Sequence, residues 1–221
     1  MAKKTSEDRN KTSWTTGTLT KTFDLKRVLE NYPLLDEWLD ISEKVSADDN
    51  KKLERLRLKL LQNVNSWNEE TLKMRFIALV LDMVEYETTD FEPLFDNEMS
   101  GIVDNIELKV ITDFMIAHTV DDVIEKPYFY FHEYKRKKKG HDDPIAQVLI
   151  AMLIAQEKNQ DGLPIYGCHV IGENWYFMLL HGREYAIDKG LNATKTDDLH
   201  QIFLILKKFK TILMALSEQH A

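Results

Sequence analysis

An aromatic run in this chain, Tyr128-Phe129-Tyr130-Phe131-His132, ends in Glu133-Tyr134-Lys135. The run reads as a strand, and in a strand residues i and i+2 share a face. Glu133 and Lys135 are therefore expected side by side, where the strand leaves its apolar core. Charge beside an apolar interior is costly unless it is paired or bound to an ion. Such a pair can hold a divalent metal and position a water, or it can close the strand as an ordinary ion pair. A cationic run, Lys135-Arg136-Lys137-Lys138-Lys139, follows at once. It suits either contact with backbone phosphates or a solvated loop.

Hydrolysis of a phosphodiester needs charge stabilised on a phosphoryl oxygen and hydroxide made near neutral pH, and a divalent cation supplies both. Magnesium takes oxygen ligands in octahedral geometry, commonly one or two carboxylates with waters and substrate phosphate. Upstream, the β-rich run Leu108–Ala117 is broken by a single carboxylate, Asp113. On neighbouring strands Asp113 and Glu133 could supply the ligand pair. Lys135 would orient the attacking water or stabilise developing charge, and the carbonyl of residue 134 could complete the shell. Asp104 is a rival for Asp113, but it lies in a weaker strand and further from Glu133.

These residues need a scaffold, and the patterning describes one. Residues 1–20 read as a flexible tail and 21–65 as a helical extension. Within the extension, two short helices over 24–42 separate near Pro33. Ser46, with Asp49 three residues on, opens a helix to about Val64, and Asn68 caps the next. From Phe91 to Lys135 the pattern is three extended segments, with breaks at Gly101 and over 119–125. Asp143-Pro144 opens a helix to about Lys158. Strands over Ile165–Ile171, Trp175–Leu180 and Glu184–Ile187 precede a last amphipathic helix over 196–217. The order predicts an α/β sandwich, a central mixed sheet flanked by helices, with N-terminal helices added.

A strand with Asp113, a strand with Glu133-x-Lys135 and a helix with Gln147 together resemble the core of the PD-(D/E)xK nuclease superfamily. A hairpin over residues 166–177 resembles the one that completes its sheet. The resemblance spans roughly residues 66–215 and implies the restriction-endonuclease-like fold. It implies hydrolysis of phosphodiester bonds, most naturally in DNA, with Mg²⁺ or Mn²⁺ as cofactor. Asp113 and Glu133 take the places of the metal-binding acids and Lys135 that of the catalytic lysine. Gln147 takes the place of a glutamine that helps position substrate or metal. Glu69 or Glu70, with Glu70 preferred, falls where many members carry an additional acidic ligand. Thr112 stands where the family often has proline.

Composition narrows the alternatives. The hydrophobic fraction is 43% and the charged fraction 30%, ordinary for a globular chain. No apolar run is long enough to span a bilayer, and the Lys/Ser/Thr-rich start has no signal-peptide core. A cytoplasmic protein with no membrane partner is expected. The single cysteine, Cys168, excludes an internal disulfide and a cysteine-based zinc cage. Cys168 and His169 alternate across a strand, which defeats a thiolate–imidazole dyad. No Gly-x-Ser-x-Gly elbow or glycine-rich phosphate loop is present. Trp175, Tyr176 and Phe177 suit a core hairpin better than a base-stacking surface. The net charge of −8 disfavours general affinity for nucleic acid but says little about a local cleft. The alternative from another class is a catalytically inactive binding module on the same fold. Its N-terminal helices would then serve a protein partner or self-association.

Overall fold

Capping chemistry marks most helix starts in the first third of the chain. The computed structural model describes residues 14–88, 91–120, 123–135 and 143–218. Helix α1 (Thr16–Thr22) opens on a capping box between Thr15 and Thr18. It lies partly inside the stretch read as tail. Strand β1 (Lys26–Val28) corrects the reading of 24–29 as a helix. An isolated short helix there would be marginal, whereas the strand gains a parallel ladder with Glu184–Ala186. Helix α2 (Pro33–Leu39) begins at a proline in its first turn. Helix α3 (Ala47–Asn63) is capped by Ser46, whose hydroxyl accepts from the Asp49 amide. Helix α4 (Glu69–Leu72) is capped in the same way by Asn68. It runs without a break through a π-helical segment, Lys73–Ile77, into α5 (Ala78–Asp82).

Three long strands follow: β2 (Glu92–Val103), β3 (Ile106–Val120) and β4 (Val123–Lys135). Along β4 the description covers the backbone and the Ile124 side chain. Gly101 is not the break expected there, because it lies inside β2. A Cβ at Gly101 would meet Ile154 at 3.1 Å, so its smallness serves close packing. The reversal falls instead at Asp104 and Asn105, with φ of 47° and 64°. That is the backbone of a two-residue hairpin turn, which these residue types tolerate.

Helix α6 (Pro144–Asn159) then crosses to β5 (Ile165–Ile171), which pairs in parallel with β4. Strands β6 (Asn174–His181) and β7 (Glu184–Ile187) form a hairpin, and short β8 (Leu191–Asn192) pairs with β6. Helix α7 (Thr196–Glu218) closes the described chain. The strand order is β1-β7-β6-β5-β4-β3-β2, one mixed sheet that takes in the N-terminal β1.

Two apolar layers hold this sheet between helices, an α/β sandwich. One face packs on α2, α3, α5 and α7 through Trp38, Leu60, Val80, Phe203 and Phe209, and on the π-helical segment through Phe76. The other packs on α1 and α6, whose residues 148–155 are all buried. Helix α6 is apolar nearly all round because α1 covers its outer side. The Asp143 carboxylate ties the two together. It accepts from the Ala146 amide at 3.0 Å and from the Thr16 amide and hydroxyl at 2.7 Å each. Among the described residues no helix is long and apolar enough to cross a membrane.

Candidate functional site

Strand β3 does not keep one face throughout. Leu108 and Val110 pack in the core beside α6, whereas Phe114 and Ile116 pack in the core beside α7. All four are even-numbered, so an unbroken strand would hold them on one side. Strand β2 slips at the same level, since Leu94 and Met99 share the α6-side core although five residues apart. The ladder pairs Phe95 with Phe114 and Asn97 with Thr112, and Asp96 and Asp113 lie between those pairs. Asp96 has the left-handed backbone, φ 50°. The two aspartates therefore occupy a matched kink of two neighbouring strands.

Lys73 meets them from the helix. Its ammonium lies 2.6 Å from Asp96 Oδ1 and 3.3 Å from Asp113 Oδ1. The Lys73 side chain is 7% exposed, Asp113 21% and Asp96 68%, so the cation is the buried partner and Asp96 opens to solvent. Burial alone would lower the Lys73 pKa, but the two aspartates outweigh it and hold it above the ordinary lysine range. The helix is irregular here too. The Ala78 amide donates to the Lys73 carbonyl five residues back, the widened turn of a π-helix. Such turns are rare and recur at functional sites.

A third irregularity lies on β4. His132 pairs with His169 of β5 and Tyr134 with Val170, so Glu133 is the bulged residue. The β3–β4 register, last paired at Phe114 and Phe131, brings Asp113 level with this part of β4. Bulges gather beside active sites because they re-aim a side chain. The side chains of Glu133 and Lys135 lie outside the described residues, as do Arg136, Lys137, Lys138 and Lys139 altogether. Gln147 is half-buried in the early turns of α6, which packs across β4. Its backbone N–H donates to the Asp143 carbonyl at 3.2 Å. Glu70 is exposed at the start of α4, one turn before Lys73, and α4 lies against β4. The rival Asp104 stands at the hairpin tip, where Arg183 Nη2 lies 2.8 Å from both its oxygens.

Chemically, the described part of this corner offers two facing carboxylates and an ammonium. Two carboxylates suit a magnesium-type ion, which binds few protein ligands and keeps its waters. Among the described residues no group of three or more His, Cys, Asp or Glu side chains converges as a metal cage. An apolar cleft of about 540 Å³ adjoins the corner, lined by Met74, Leu79, Pro93, Phe95 and Phe114 and edged by Asp82, Glu85 and Glu87. The aromatic triplet of β6 is not part of any such surface. Trp175 and Phe177 are fully buried, and Tyr176 stacks on His169 at 4.7 Å.

Lys73 and Asp96 are the members that sequence reasoning passed over. Lys73 carried a signal, because it precedes Phe76 and Ile77 by three and four residues and so shares their buried face. A lysine on an apolar stripe demands carboxylate partners. Asp96 carried none, since Asp96-Asn97 reads as a break in a strand rather than as part of one. No protein-family model matches this chain, and no curated protein matches it.

Proposed function

We propose that this chain is a metal-dependent nuclease of the PD-(D/E)xK type that hydrolyses phosphodiester bonds in DNA. Asp113 and Glu133 would hold Mg²⁺ or Mn²⁺, and Lys135 would orient water or stabilise charge on the phosphoryl group. One observation carries the reading: Asp96, Asp113 and Glu133 each fall at a ladder irregularity, on three adjacent strands. Element order lends support. Meander β2-β3-β4, crossover α6 and parallel β5 put an Asp strand beside a Glu-x-Lys strand and lay a Gln-bearing helix across it.

When bound, the ion supplies Lewis-acid stabilisation and hydroxide near neutral pH. The chain's own work is then positional. The kinks of β2 and β3 turn Asp96 and Asp113 to one corner, and Gln147 would help position substrate or metal from α6. Arg136 to Lys139, with Lys135, would carry the phosphate contacts that a net charge of −8 leaves to a local patch.

The test is Mn²⁺ titration by calorimetry on the wild type and on Glu133→Ala, followed by cleavage of single- and double-stranded DNA. Saturable binding and cleavage, both lost in the variant, are expected. A folded wild type that neither binds Mn²⁺ nor cleaves any DNA would sink the reading. That result would favour the inactive binding module, for which the Lys73 ammonium between Asp96 and Asp113 already speaks.

A further inference from the structure

We infer that Lys73 is a positioning residue that competes with the divalent ion for the Asp113 carboxylate and so sets how tightly the site takes metal. This rests on the nuclease reading above. The geometry that carries it is the ammonium's placement. It is nearly enclosed, 2.6 Å from Asp96 and 3.3 Å from Asp113, on the side of Asp113 that faces β2. A unit positive charge there repels any cation that approaches Asp113.

Asp96 governs the strength of that competition. It is the closer partner of Lys73 and the more exposed of the two carboxylates. It draws the ammonium toward solvent and away from Asp113. The π-helical turn at Lys73–Ile77 gives the lysine its place, because it resets the helix register between α4 and α5. The left-handed backbone of Asp96 turns that residue to meet it. Lys73 and Asp96 thus act on Asp113 in opposite directions.

A purely structural ion pair predicts something different. Removing either partner would then loosen the corner and move metal binding the same way. Calorimetric Mn²⁺ titration of the full chain separates the two cases without reference to activity. Lys73→Met is expected to tighten Mn²⁺ by about tenfold or more, since it deletes a charge a few ångströms from a ligand. Asp96→Asn is expected to weaken it by about threefold or more, because the ammonium then bears more heavily on Asp113. Lys73→Arg, which keeps the charge, should stay near the wild type. In the Lys73→Met background, Asp96→Asn should have no further effect, because Asp96 acts through the lysine.

Thermal melts run beside the titrations show which variants are folded, and Lys73→Gln replaces Lys73→Met if the latter is not. Shifts of the same sign in Lys73→Met and Asp96→Asn, or no shift in either, overturn the inference while leaving the nuclease reading intact. Absence of Mn²⁺ binding in every folded protein, wild type included, overturns the inference, and joined to absence of DNA cleavage it overturns the nuclease reading as well.

Discussion

Asp113 and Asp188 are both only partly exposed, yet one is met by an ammonium and the other by backbone amides. At Asp113, Lys73 arrives from a helix and its charge is shared with Asp96. Asp188 follows β7 at the far side of the sheet order. Its Oδ1 accepts from the Phe177 amide at 3.0 Å, and the Gly190 amide is a second donor. Burial pushes the Asp188 carboxyl up to about 7, against the pull of those two amides. Beside it, burial and then the Asp188 charge raise the Cys168 thiol. The same residue type is thus paired with a cation in one place and driven toward a proton in the other.

The largest expected effect sharpens this contrast through pH. The folded-state pKa of Asp188, about 7, lies above the ordinary carboxyl value of 3.8. Between those values the native protein keeps a proton that the unfolded chain has released, so stability falls as pH rises. The contribution is fully present below the unfolded pKa and is lost as pH climbs through the folded one. Between pH 5 and pH 8 the loss should be about 3 kcal/mol, since each tenfold change in proton affinity is worth about 1.4 kcal/mol. Urea unfolding at the two pH values checks it, and Asp188→Asn should remove that part of the slope. An unchanged slope in the variant would mean that Asp188 is ionised in the fold.

A smaller effect comes from the amide that helps hold Asp188. Gly190 has φ 86°, and a Cβ there would stand 2.5 Å from the Tyr176 ring. Gly190→Ala should cost about 2–3 kcal/mol, from left-handed strain and overpacking together. Tyr176 is stacked on His169, which limits its escape. A displaced Gly190 amide would also deprive Asp188 of a donor and push its pKa higher still. The urea midpoint should therefore fall further at pH 8 than at pH 5, while Mn²⁺ affinity at the β2–β4 corner stays unchanged. An equal fall at both pH values would uncouple the glycine from the carboxyl.

These two corners were unequally legible in the sequence. Regular periodicity gave α3, α6, α7 and the β5–β7 strands nearly to the residue, because each has an unbroken apolar stripe and a capping or turn residue at its ends. It gave Asp113 as the single carboxylate of the run Leu108–Ala117. It could not give Asp96 opposite Asp113, because that meeting depends on a shared kink in two strands, and a kink erases the period that pattern reading relies on. Lys73 was legible as a lysine on the buried stripe of Phe76 and Ile77, but its partners were not, because Asp96 reaches it only through that kink. Strand β1 was misread because its stability lies in a ladder with β7, more than 150 residues away, which no local pattern encodes. Asp188 was invisible as a titrating group, because its environment is built by the loop after β7 folding onto β6.

Asp104 supplies the exposed end of the comparison and the smallest expected effect. Like Asp113 it has a cation partner, Arg183, but the two side chains are 50% and 41% exposed. An ion pair in that much water is worth about 0–1 kcal/mol, since solvent screens it and two long side chains must be ordered to make it. Asp104 also holds a left-handed turn position, φ 47°, which asparagine accepts as readily as aspartate. Asp104→Asn therefore removes charge and little else. Its urea midpoint should lie close to the wild type, and its Mn²⁺ affinity should be unaltered. Asp113→Asn, by contrast, should lose Mn²⁺ binding and leave the Lys73 ammonium leaning on Asp96. Loss of Mn²⁺ binding in Asp104→Asn with retention in Asp113→Asn would move the metal site to the hairpin tip. It would also show that the kinks of β2 and β3 serve Lys73 and the fold rather than chemistry.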